Sequence, residues 1–167
     1  MIRLRPAASI DLAYILSLEQ RFAESGFVGS DAQQVHEQRM ANPDSAYFVI
    51  QRDGRPFGFV ILCGLTSINR SIELKRIVIS EPGAGWGREA LRCVVRIAFQ
   101  QLSAHRLWLD VFTDNQRARR AYRAVGFVEE GTMRECIRQD DRFRSLVVMS
   151  ILDSETGERA DSVLRLP

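Results

Sequence analysis

Three glycines alternate in the stretch SEPGAGWGREAL, as Gly83, Gly85 and Gly87, with Ala84, Trp86 and Arg88 completing the segment. They sit between an apolar run, IELKRIVI, and a stretch of helical periodicity, EALRCVVRIAF. A helix N-terminus leaves about four backbone N–H groups unpaired and carries partial positive charge, so a loop winding into one attracts phosphate. Glycines let that backbone come close to the ligand. A Walker loop needs G-x-x-x-x-G-K-[ST], and no Lys-Ser or Lys-Thr follows these glycines. A Rossmann fingerprint needs G-x-G-x-x-G, whereas position 88 is Arg and the spacing is G-x-G-x-G. Asp110 ends the next strand at a suggestive distance, which keeps a dinucleotide-binding module as an alternative. A tight glycine-rich turn without a ligand is the remaining reading of these residues taken alone.

Other chemistry-bearing residues are scattered. Ala118, Ala121, Tyr122 and Val125 form an i, i+3, i+4, i+7 stripe, so pattern alone makes Tyr122 a core aromatic. Asn115 is placed to cap the helix that carries it. Glu73 shares a strand face with Lys75 and could pair with it. His36, in a weak polar helix, and His105, in a helix-to-strand loop, are expected at the surface. Cys63, Cys93 and Cys136 are odd in number and embedded in apolar segments. They read as buried reduced thiols rather than a disulfide framework or a zinc site, and no metal is expected.

The elements that must position these residues can be read along the chain. The 167 residues, 46% hydrophobic and 26% charged, suit one domain with its own core. No apolar run reaches the roughly 20 residues of a membrane span, and no signal-type segment opens the chain, so a cytoplasmic protein without membrane partners is expected. The net charge of +2 and scattered arginines argue against nucleic acid. MIRLR alternates as a strand, and Ser9 is the expected cap of a helix over IDLAYILSLEQRF. DAQQVHEQRM reads as a second, weaker helix. AYFVIQ and PFGFVILCGL flank Asp53-Gly54 as a hairpin, and SIELKRIVIS is a further strand. After the helix that follows the glycines, RLWLDVF is a strand and NQRARRAYRAVG a helix closed by Gly126. FVEEGTMRECI and SLVVMSIL close the domain, residues 1–152, as an antiparallel pair. Residues 153–167 read as a polar, weakly packed tail.

The glycine segment, with Pro82 before it, resembles the pyrophosphate loop of the GNAT superfamily of acetyl-CoA-dependent N-acetyltransferases. A second signature of that family, an Asn, then a short helix with Tyr, then Gly-Phe, is similar to NQRARRAYRAVGF, with Asn115, Ala118, Tyr122, Gly126 and Phe127 in place. The resemblance covers residues 1 to about 152 and implies an α+β fold, a mixed, mostly antiparallel sheet of six to seven strands flanked by about four helices. It implies acetyl transfer from acetyl-CoA to a primary amine by direct attack in a ternary complex, without metal. Main-chain groups of Ile77, Val78 and Ile79 would then meet pantetheine and acetyl. Amides from Gly83 to Arg88 would hold pyrophosphate. Asn115 would hydrogen-bond pantetheine, Tyr122 would serve the departing thiolate, and Glu73 would be the base. GFVEEGTMRE and VVMSIL are most similar to the ribosomal-protein N-terminal acetyltransferase branch. Pro82 departs from the usual Arg or Gln, and Ser145 stands where that branch often has Asp. The segments FAESGFVGSD and CIRQDDRFRS would frame the acceptor channel, with Glu24, Asp31, Asp140 and Asp141 available to an ammonium. The implied partner is an amine-bearing small molecule or a protein N-terminus, with a homodimer possible. A non-catalytic acetyl-CoA-binding domain is the alternative from another class.

Overall fold

Apolar runs and apolar–polar alternation place the strands, with β2 and β3 buried on both faces at their centres. In a computed structural model, which describes residues 1–156, the order is β1 (Ile2–Pro6), α1 (Leu12–Ala23), α2 (Gln33–Met40), β2 (Ser45–Arg52), β3 (Arg55–Cys63), β4 (Ser71–Ile79), α3 (Trp86–Arg96), β5 (Arg106–Phe112), α4 (Gln116–Arg123), β6 (Val128–Gln139) and β7 (Arg142–Leu152). The strands make one seven-stranded sheet in the order β1-β2-β3-β4-β5-β7-β6. Every pairing is antiparallel except β4 with β5. The hairpin between β2 and β3 turns on Asp53 and Gly54, both at positive φ (52° and 81°), the geometry that matches strand twist.

The sheet separates two apolar cores. On one face Val60, Leu62, Ile72, Leu74, Leu107 and Leu109 pack with Ala90, Leu91 and Val94 of α3, and Ala118, Ala121 and Tyr122 of α4 border them. On the other, Ile15 and Leu18 of α1 cover Tyr47, Phe59, Ile61 and Val78, with Met40 of α2 at the margin. Full burial of each such side chain contributes about 1.5–3 kcal/mol, which is what fixes strand register.

Some expectations are corrected. Ser9 is not the cap of α1: Ser9–Asp11 form one 3-10 turn, and α1 starts at Leu12. Asp11 ties the turn instead, accepting the Ala8 amide at 2.8 Å and a two-pronged bond from Arg5 at 2.7 and 2.8 Å. A carboxylate serves here because the arginine of β1 lies within reach. Cys136 is exposed on the edge strand β6, and Cys63 and Cys93 are half-buried; all are free. Cys136 lies among Arg134, Glu135 and Arg138 on β6, which is exposed along nearly its whole length. Much of the expected last hairpin loop is strand, leaving only Asp140-Asp141 as the turn. Asp153–Glu155, the start of the expected tail, form a 3-10 turn, and residues 157–167 lie outside the described residues.

The feature that creates a site is a break in the sheet. β4 and β5 pair only through Ser71–Arg106, Ile72–Leu107 and Glu73–Trp108. Immediately beyond, Lys75 is an extra residue opposite Ile61 and Leu62, a bulge that bends β4 away.

Candidate active site

Past Glu73, the β5-facing edge of β4 has no strand partner among the described residues. The Ser80 amide donates to the Phe57 carbonyl at 2.8 Å, which fixes the alternation of the β3–β4 ladder. Val78 and Arg76 therefore bond to β3, while Ile77 and Ile79 turn their N–H and C=O into the cleft. Of the three expected main-chain positions, two point into the opening and Val78 points away, its side chain buried against α1. The Ile77 and Ile79 side chains are half-buried at the α3 core.

The cleft leads to the glycine loop. Gly83, Ala84 and Gly85 take consecutive positive φ values of 128°, 47° and 80°, with Gly85 capping α3. The glycines answer to backbone geometry at 83 and 85 and to open space at 87, where an added Cβ would meet nothing within 4 Å. Trp86 donates its amide to Gly83 and Arg88 its amide to Gly85, at 3.2 and 3.0 Å. Among the described residues, the amides of Gly83, Ala84, Gly85 and Gly87 have no partner, so these four are free for an anion. The Trp86 ring packs edge-on against Phe57, with Arg52 over both rings. The Arg88 guanidinium folds back toward Gly85, which supplies positive charge at the helix start. Pro82 is exposed and adds no donor.

At the fork where the strands part, four ionisable groups influence one another. Glu73 lies 3.8 Å from Lys75. Burial pushes the Glu73 carboxyl above the usual range, Lys75 opposes this, and Asp110 reinforces it. Burial also raises Asp110, again against the pull of Lys75, although the residue keeps an exposed flank. The Tyr122 phenol is pushed up to about 12, by burial first and the Asp110 charge second. Its ring meets Phe127 edge-on at 5.7 Å, and among the described residues its hydroxyl has no hydrogen bond. Asn115 caps α4 by accepting the Ala118 amide at 3.2 Å, which leaves its NH2 group for other partners. The fork thus brings Glu73 and Tyr122 into one electrostatic group and adds Asp110, which the sequence offered only as the strand-end acid of an alternative dinucleotide-binding module. Its signal was the alternation of β5: Leu107, Leu109 and Val111 are buried, while Asp110 stands on the other face.

His36 is not at the surface. It is fully buried, its Nδ1 2.9 Å from the Tyr47 hydroxyl and its Nε2 3.0 Å from Glu19. A carboxylate only accepts, so Nε2–H donates to Glu19. Glu19, also fully buried, accepts from Arg76 and from the Asp31 amide. Asp31 is held by Arg39 at 2.9 Å and Arg76 at 3.2 Å, so it is not free to attract an ammonium. Against the effect of burial, Arg39 and Arg76 hold its carboxyl below the usual range. α2 looked polar because its one buried residue is a histidine whose partners lie on other elements. His105 is exposed, as expected, and pairs with Asp153 at 3.1 Å. Among the described residues, no group of three or more His, Cys, Asp or Glu is placed to hold a metal, and no helix is long and apolar enough to cross a membrane.

Comparison with known proteins agrees with this geometry. The chain is 24% identical over 162 residues to spermidine N(1)-acetyltransferase of Escherichia coli strain K12, covering 92% of this chain and 87% of that protein. It is 29% identical over 109 residues to the Bacillus subtilis protein YdaF, provisionally assigned to ribosomal N-acetylation, covering 64% and 60% of the two chains. Its fold matches that of a spermidine N-acetyltransferase from Vibrio cholerae solved with CoA and spermine, with a TM-score of 0.84 at 24% identity, over 94% of this chain and 98% of that one. Residues 12–127 match the acetyltransferase (GNAT) family, a span holding the open edge of β4, the glycine loop, Asp110 and Tyr122. The chain belongs to the GNAT family and is an acetyl-CoA-dependent N-acetyltransferase of amines.

Proposed function

We propose that the fork between β4 and β5 is where the acetyl group passes directly from acetyl-CoA to a primary amine of a small molecule or a protein N-terminus. The observation that carries this reading is the open edge of β4, with four unpartnered amides at one end and Glu73, Asp110 and Tyr122 at the other. Ile77 and Ile79 would pair with the pantetheine arm as an added strand. The free loop amides, with Arg88 beside them, would hold the pyrophosphate, and the Asn115 amide would steady the arm.

The acceptor arrives largely as an ammonium and must lose a proton before its nitrogen has a lone pair to use. Glu73 or Asp110 would take that proton through water, their raised affinity bringing them nearer neutral pH. The nitrogen then adds to the thioester carbon, the C–N bond forms, the nitrogen's second proton leaves to water, and collapse breaks the C–S bond. Tyr122 would donate a hydrogen bond, and finally a proton, to the departing sulfur. The similarity to spermidine acetyltransferases supports a small free amine, and the YdaF similarity leaves room for a protein N-terminus on a ribosomal protein. Exposed apolar residues on the terminal hairpin, Met133, Ile137 and Phe143, support a homodimer. Acetyl-CoA turnover against an amine panel, read as free thiol, tests the proposal: a protein that binds acetyl-CoA and releases no thiol with any acceptor would be a binding domain.

A further inference from the structure

On the face of β5 opposite Leu107 and Leu109, a cation is already seated against two aromatic rings. Arg144, near the start of β7, places its guanidinium 3.6 Å from the Phe112 ring centroid and 5.2 Å from that of Phe27. Its Nη2 donates to both Asp114 oxygens at 2.8 and 3.1 Å, and its Nη1 to the Gly26 carbonyl at 2.6 Å and to Gln139 Oε1. Two aromatic faces, a carboxylate and two neutral oxygens are the groups that recognise an organic ammonium. The Arg144 side chain is 19% exposed while Asp114 is 63% exposed and Phe27 39%, so the walls of this cage face solvent and its occupant does not.

The cage lies close to the reacting centre. Phe112 shares a strand face with Asp110 and follows it by two residues, about 7 Å along the strand. A short aliphatic diamine spans that distance. Two further carboxylates on this side are already matched, Glu19 by Arg76, and Asp31 by Arg76 and Arg39.

Resting on the proposed transfer at the fork, we infer that Arg144 determines acceptor specificity: as an internal cation it fills the subsite that would take the second ammonium of a di- or polyamine. Acceptors with a single positive charge are favoured in consequence.

The test compares kcat/KM for 1,4-diaminobutane and for n-butylamine, at fixed acetyl-CoA, in the wild type, Arg144→Ala and Arg144→Lys. Emptying the cage raises the diamine-to-monoamine ratio about tenfold in Arg144→Ala, the scale of one desolvated cation contact, and less at high salt. Arg144→Lys keeps the cation and the wild-type ratio. A brace without a role in specificity would slow both acceptors equally, and an unchanged ratio in Arg144→Ala therefore overturns the inference, as does a wild type that already prefers the diamine. Should Arg144→Ala not fold, Arg144→Gln keeps a donor for the Gly26 carbonyl without the charge, and the same ratio is read. Failure of the transfer reading itself is separate: it shows as no thiol release with any amine in the wild type. Calorimetry of 1,4-diaminobutane on the CoA-loaded proteins then decides, binding to Arg144→Ala but not to wild type supporting the cage, and no binding to Arg144→Ala overturning it.

Discussion

Replacing Tyr122 with Phe removes one hydroxyl and leaves the ring against Phe127 and the α4 core. The phenol stands at about 12 because burial and the Asp110 charge both disfavour its anion. A thiol ionises near 8.5, so complete proton transfer from Tyr122 to a free thiolate is uphill by about 4.8 kcal/mol. The phenol can therefore act only as sulfur charge develops, first as a hydrogen bond that tightens and then as a proton donor when the product relaxes. A hydrogen bond to a charged group contributes about 1.5–3 kcal/mol, so Tyr122→Phe is expected to lower kcat roughly 10- to 150-fold. Stability should hold, because among the described residues the hydroxyl has no partner to lose. A melting shift beyond about 2 °C, the scale of 0.5–1 kcal/mol in a domain of this size, is not expected. Turnover and melting temperature are measured on the same purified variant at saturating acetyl-CoA with the best amine of the panel. Turnover within twofold of wild type would refute the role assigned to the phenol, and a lowered melting temperature with full activity would make Tyr122 a packing residue alone. In the wild type the phenol should contribute no basic limb to the rate below about pH 11, since a group at about 12 stays protonated there.

Gly87→Glu should abolish acetyl-CoA binding by calorimetry while the melting temperature holds, because position 87 has open space and ordinary helical φ; retained affinity would remove the loop from the cofactor site. Gly85→Asp should lose binding and stability together, since it forces a side chain onto φ 80° at the cap of α3. In the pH profile of kcat/KM, the base works deprotonated, so activity rises with pH through a carboxyl that burial has raised above its ordinary value. Lys75→Met removes the charge that lowers both carboxyls and should move that acidic limb upward; a fixed limb would exclude Glu73 and Asp110 together. Glu19→Leu leaves the Arg76 guanidinium with Asp31 as its remaining partner and takes the acceptor from His36, costing about 3 kcal/mol or more and roughly 6–12 °C in thermal unfolding.

Local signals carried far in this chain because each was complete within a few residues. The Asp53-Gly54 turn, the cap at Asn115 and the glycines before α3 require particular backbone conformations, and only those residue types supply them cheaply. Alternation likewise placed β1, β4 and β5, and apolar runs either side of Asp53-Gly54 placed β2 and β3, whose central residues are buried on both faces. The glycine loop at the start of α3 and the helix that carries Tyr122 were legible for that reason, helped by the order of two family signatures. What tertiary structure alone decided are partnerships between elements far apart in sequence. His36 reads as a surface residue of a polar helix until α1 brings Glu19 and β2 brings Tyr47 to its two nitrogens. Asp110 reads as the strand-end acid of a dinucleotide module until the bulge at Lys75 opens the sheet and makes it a neighbour of Glu73 and Tyr122. Asp31 reads as a free acid until Arg76 and Arg39 converge on it. A charge declares its partner only in three dimensions, because Coulomb attraction depends on distance and burial, and neither is written into the order of residues.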